Sequence, residues 1–121
     1  MKKNYERYGD ILCFDITYKL LMRKKDEVKH TGIGFFIGMD ENSRILLYGV
    51  AVIQHESSDH FYMLFEFFFE MMCSVPQTIL TDDQRAIGNA LYRIKKDKKY
   101  DYVHLLDWYH KLEAVKRGIK R

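Results

Sequence analysis

This 121-residue chain has one proline, two cysteines and one tryptophan. Its scarcity of proline and seven glycines exclude a low-complexity linker. No CxxC pair occurs, which removes the thiolate zinc signature. Cys13 and Cys73 both sit inside apolar runs and are expected as reduced core thiols of an intracellular protein. No uninterrupted apolar run approaches the roughly 20 residues of a membrane span. The greasiest segment, Phe61 to Met72, is broken by Glu66 and Glu70. The opening Met-Lys-Lys-Asn-Tyr-Glu lacks the apolar core of a secretory signal, so neither membrane nor export is expected.

Apolar residues make up 47% of the chain and aromatics 15%, which suits a packed core and not a disordered segment. The net charge of +3 is small, but the cations cluster: Arg23 to Lys25, Arg93 to Lys99, and Lys111 to Arg121. Such clusters can neutralise phosphates; they can equally be solvated loops and helix faces.

The apolar pattern predicts strands over Asp10 to Tyr18, Gly32 to Met39 and Arg44 to Ile53. The first has the near-continuous apolar run of a strand buried on both faces. A charged stretch and the turn Asp40 to Ser43 connect the three as a meander. The period then changes. Ser57 or Ser58 can cap a helix reaching Met72, with Phe61, Leu64, Phe65, Phe68 and Met72 as its core stripe. Phe67, Phe69 and Met71 widen that face and imply a second covering surface. Pro76 ends the segment. A short strand, Thr78 to Thr81, leads into a helix from Asp82 to about Lys96, then a strand over Tyr100 to Leu106 and a last helix from Trp108 to about Arg117. The order βββαβαβα is that of an α/β domain with a mixed sheet and helices on both faces.

Two acids stand out. Asp15 lies mid-strand among apolar residues, where a buried carboxylate needs a cationic partner, a hydrogen-bond network or a metal ion. Asp82 ends a strand and starts a helix, where ligand sites of open α/β sheets collect. A simpler reading makes Asp82 a helix-start residue, with Thr81 and Gln84 as a capping box. In this topology the two acids meet at one sheet edge, and their repulsion calls for a shared divalent cation. Oxygen-only ligation suits Mg²⁺ or Mn²⁺. His104, Asp107 and His110 form an H-x2-D-x2-H run for which packing and hydrogen bonding are the default expectation over zinc binding.

Four blocks, in order, resemble the Mutator-like element (MULE) transposase domain, a member of the DDE, RNase H-like superfamily. Tyr8 to Lys19 resembles its "FD-x-TYK" opening; Phe61 to Glu66 with Met71-Met72 resembles its "F-x-WLFE … M" helix. Pro76 to Ile87 resembles its "P-x-TIITD-x-x-x-A" segment; His104 to Lys111 resembles "H-x-x-C-x-WH", with Asp107 at the cysteine position, Tyr109 at the tryptophan position and His110 at the histidine. The likeness runs from about Tyr5 to Leu112.

The resemblance implies an RNase H-like fold and a partial domain over residues 1–121. It implies Asp15 and Asp82 as the first two catalytic, metal-holding acids of the triad. The third, a glutamate from a helix further downstream, has no match; Glu113 lies too near the histidine block. The implied activity is Mg²⁺- or Mn²⁺-dependent DNA strand cleavage and transfer, inactive or nearly so in this portion alone. Transposon-end DNA is the implied partner, contacted by Lys95, Lys96, Lys98 and Lys99. The resemblance leaves room for a homo-oligomer of the full-length form, and implies the nucleus as location. The alternative is a domesticated, non-catalytic DNA- or protein-binding regulator, as in the far-red-response factors of plants.

Overall fold

A computed structural model describes Tyr5 and residues 9–17 and 32–106. The elements are β1 (Ile11–Thr17), β2 (Gly32–Met39), β3 (Ile45–Ile53), α1 (Ser58–Met72), β4 (Thr78–Thr81), α2 (Arg85–Lys98) and β5 (Val103–Leu106). The five strands form one mixed sheet in the order β3-β2-β1-β4-β5. β1 pairs antiparallel with β2 and β2 with β3; β1 pairs parallel with β4 and β4 with β5. β1 is therefore central, which accounts for its apolar run.

The meander turn is built by Asp40, whose Oδ1 accepts from the amides of Asn42 and Arg44, each at 2.9 Å. Ser57 caps α1, its hydroxyl accepting from the His60 amide at 3.3 Å. From α1, Phe61, Phe65, Phe68, Phe69 and Met72 enter the core. They meet Leu12, Phe14, Phe36, Tyr48 and Ile79 of the sheet and Ile87, Ala90, Leu91 and Ile94 of α2 in one cluster. Both described helices thus lie on one face of the sheet. The other face carries Cys13, Phe35, Ile37 and Leu80, together with exposed Leu47, Val50 and Val52 of β3. Among the described residues no element covers it. The helix expected over Trp108 to Arg117 lies outside the described residues.

The polar flank of α1 ties it to α2. Glu66 meets Lys98 at 3.0 Å, the Tyr62 hydroxyl donates to Asp97 at 2.9 Å, and Asp59 meets Arg93 at 2.7 Å. Exposed pairs of this kind add little each, so the aromatic core is the main cohesive term.

Several expectations need correction. Phe69 is buried against Tyr100 and Tyr102, while Leu64 is only partly buried. The surplus apolar side of α1 is Met63, Phe67 and Met71, all exposed. β5 starts at Val103 and not Tyr100. β4 has four residues and pairs Thr78 with Val103, so residues 100–102 have no strand to join. Tyr102 turns into the core, and its hydroxyl donates to the Leu91 carbonyl. α2 starts at Arg85, with Gln84 as an N-cap that makes no side-chain capping bond. The Thr81–Gln84 capping box does not form, because the Thr81 hydroxyl is engaged elsewhere. Cys13 is buried as expected, but Cys73 is exposed.

Cys73 sits at the C-cap of α1 with φ 60°, a left-handed conformation that costs an L side chain free energy and glycine almost none. Cys73→Gly should stabilise the fold by about 1 kcal/mol. A urea denaturation midpoint that fails to rise would contradict this.

Burial also sets a pH dependence. Tyr5, whose hydroxyl donates to the Ser74 carbonyl at 3.1 Å, is pushed up to about 12, mainly by burial. Cys13 is pushed up to about 11, first by burial and then by the charge of Asp15. Both groups are held neutral by the fold. Their contribution is complete below the unfolded pKa, about 9 for a thiol and 10 for a phenol, and is lost as pH climbs through 11 and 12. The thermal midpoint should therefore begin to fall above pH 9, with the decline steepest near 10–12. A flat profile to pH 12 would show these groups to be open to solvent.

Candidate active site at the C-terminal sheet edge

β1, β3, β4 and β5 all run in the same direction, so their C-terminal ends gather at one edge. Asp15 stands near the end of central β1 and is half-buried. Asp82 directly follows β4 and is also half-buried. The β1–β4 register ends at Phe14↔Thr81, so Asp15, still on β1, and Asp82, just past β4, are the residues that follow the last pair. Adjacent strands lie about 4.8 Å apart. Strand alternation puts Asp15 on the face of Cys13 and Leu80, away from the helices, since Leu12 and Phe14 enter the core. The electrostatic influence of Asp15 on the Cys13 thiol agrees with that side.

The Asp82 backbone is held from two directions. Its carbonyl accepts from the Thr81 hydroxyl at 3.0 Å and from the Gln84 amide at 2.8 Å. Thr81 is fully buried, and its Oγ1 lies 2.7 Å from His104 Nε2. The hydroxyl and the imidazole share one proton across this contact, so which ring nitrogen carries the hydrogen depends on the tautomer. Burial lowers the His104 pKa, consistent with a neutral ring. The Gln84 side-chain amide donates to Glu56 Oε1 at 2.7 Å, clamping the β3–α1 loop to the Asp82 turn.

The Thr81 contact is the hydrogen-bonding role expected of His104. No sequence pattern marks Glu56. Glu56 lies 28 residues from Gln84, on a loop with no motif of its own, so only the fold joins them.

Asp107 and His110 lie outside the described residues. Among the described residues, no group of three or more His, Cys, Asp or Glu is arranged to hold a metal ion. The oxygen donors of Asp15 and Asp82 fit a hard divalent cation in kind, as part of a coordination shell. The basic candidates lie on the last turn of α2. Lys98 is engaged by Glu66, Lys95 Nζ lies 6.0 Å from the Tyr102 ring centre, and Lys96 Nζ 5.7 Å from that of Tyr92. Lys99 is the left-handed C-cap. No described helix is long and apolar enough to cross a membrane.

Comparison with known proteins agrees with this architecture. The catalytic core domain of HTLV-2 integrase, solved in complex with magnesium, superposes in its dimeric form with a TM-score of 0.50 over 88% of this chain and 66% of that one, at 14% identity. Its trimeric form gives 0.50 over 90% and 64%, at 18% identity. At such identities the likeness shows the fold, which is RNase H-like. Among curated Arabidopsis thaliana proteins, Protein FAR1-RELATED SEQUENCE 9 is 32% identical over 75% of this chain, and Protein FAR-RED IMPAIRED RESPONSE 1 is 25% identical over 94%. The aligned segments span only 16% and 13% of those two proteins. The sequence profile of the MULE transposase domain matches residues 11–109, which take in the described sheet and both described helices, and the chain belongs to that family.

Proposed function

We propose that this chain supplies the first two acids of a DNA-cleaving and strand-transferring catalytic domain, with Asp15 and Asp82 jointly holding Mg²⁺ or Mn²⁺. The observation that supports this reading is the β1–β4 register, which ends at Phe14↔Thr81, so that the half-buried Asp15 and Asp82 each come next along the chain at the same sheet edge. Two acids brought together at this edge would repel, and a hard cation between them would relieve the repulsion. The chemistry a bound cation supplies is Lewis acidity toward a phosphodiester and activation of the attacking oxygen. The chain's own part is positional. Thr81, His104 and Gln84 hold the Asp82 backbone, and the Glu56–Gln84 bond holds the neighbouring loop. No residue matches the third acid, so cleavage by this portion alone is expected to be absent or very weak.

Isothermal titration with Mn²⁺ tests the reading. The unaltered chain should show saturable binding, and the Asp15→Ala, Asp82→Ala double variant should show none. Equal binding by both proteins would refute the assignment.

A second reading is a non-catalytic DNA-binding regulator, favoured by the similarity to FAR1-related proteins. In that case the acids are relics, and Lys95, Lys96 and Lys99 contact phosphates. Reversing all three to Glu should then weaken duplex binding about tenfold or more and flatten its salt dependence by about three released counterions. Indifference to the reversal would end this role for α2. Location in the nucleus follows from either reading. A homo-oligomer is consistent with the exposed apolar residues of edge strand β3.

A further inference from the structure

α2 and β5 leave between them a cleft of about 410 Å³, lined by Gly88, Tyr92, Lys95, Tyr102 and His104 among others. Its composition is unusual for a surface that serves packing alone. Tyr92 is 64% exposed, although tyrosine usually buries its ring. Gly88 occupies the second turn of α2, where glycine costs about 1 kcal/mol relative to alanine. A Cβ built there meets nothing within 4 Å, so no neighbour in the described chain requires the glycine. Two ammonium groups flank the cleft, Lys96 near the Tyr92 ring and Lys95 near Tyr102. Its wall includes His104, whose pKa burial lowers, so that the imidazole can both donate and accept a hydrogen bond. The cleft also borders the turn that carries Asp82: the Gly88 amide bonds to the Gln84 carbonyl at 3.0 Å, and His104 bonds to Thr81, the residue before Asp82.

An exposed aromatic ring, paired cations, an imidazole and a backbone open to close approach suit one kind of ligand unit, a flat heteroaromatic base joined to a phosphate. We propose that this cleft binds single-stranded nucleic acid, with one base stacked on Tyr92 and the adjoining phosphates at Lys95 and Lys96. Stacking of this kind is tolerant of base identity, and the cations track the backbone. Gly88 leaves room for the sugar-phosphate chain along the helix. The strand is thereby led toward the Asp82 edge. The inference rests on the nucleic-acid reading above and adds to it a strand form and a site.

The test is fluorescence anisotropy of the full chain with labelled oligo-dT, oligo-rU and a short duplex at fixed ionic strength. Two single variants are compared, Tyr92→Ala and Gly88→Leu. The second fills the cleft at a position with free space and improves helix propensity, so its thermal midpoint should not fall. Both variants should weaken oligo-dT or oligo-rU binding about tenfold or more, with duplex affinity changed less than twofold. Whichever of dT and rU binds more tightly identifies the strand as DNA or RNA; either result supports the cleft if the variants act as stated. Unchanged single-strand binding in both variants, with salt-sensitive duplex binding intact, overturns the cleft and leaves the nucleic-acid reading standing. Failure of the unaltered chain to bind any of the three probes overturns both.

Discussion

Phe36→Ala should destabilise the fold by about 3–5 kcal/mol, enough to leave much of the protein unfolded at room temperature. Phe36 lies on β2, is 2% exposed, and stacks on Phe68 of α1 at 4.0 Å with the rings 5° apart. It also touches Phe14 at 4.8 Å and Phe65 at 5.6 Å between ring centres. The ring thus joins the central strand, its neighbour and the first helix. Removing it leaves a cavity bounded by large rings that cannot all collapse into the space. The described sheet is covered by helices on one face only, so little other packing offsets the loss. Urea denaturation followed by circular dichroism measures the effect. A loss below about 1.5 kcal/mol would mean that the aromatic cluster repacks freely.

The acid pair should act in opposite directions with and without a cation. In metal-free buffer, Asp15→Asn with Asp82→Asn removes repulsion between two half-buried carboxylates and should leave stability unchanged or higher by about 1 kcal/mol. With Mn²⁺ at about 100 times its dissociation constant, the unaltered chain should gain about 2.7 kcal/mol. For a domain of this size that is a rise in thermal midpoint on the order of 10 °C. The double variant should show no rise. Asparagine keeps the shape of the side chain, so a misfolded variant would be exposed by its metal-free melt. An equal Mn²⁺-dependent rise in both proteins would locate the binding elsewhere and remove the case for this pair.

Much of the strand and helix order was legible in the residues themselves. Gly32–Met39 and Thr78–Thr81 have the boundaries that apolar patterning gave them, and α1 ends at Met72 as its stripe requires. The failures share a cause. Tyr100 and Tyr102 have strand-like composition, but strand formation needs a partner, and the length of β4 withholds one. Thr81 and Gln84 have the spacing of a capping box, yet the Thr81 hydroxyl bonds to the Asp82 carbonyl and His104, a competition invisible along the chain. Cys73 lies in an apolar run, but as the left-handed cap it turns outward.

By itself the amino-acid sequence determined the family, the element order and the two acids to be weighed, because these depend on local periodicity and on blocks of contiguous residues. Tertiary structure alone decided that Asp15 and Asp82 each follow a member of the last β1–β4 pair, Phe14 and Thr81, that Glu56 reaches Gln84, and that Gly88, Tyr92 and His104 border one cleft. Each of these joins residues that are not neighbours along the chain. The assembly of the sheet brings them together, through parallel pairing and helix packing that no single segment encodes.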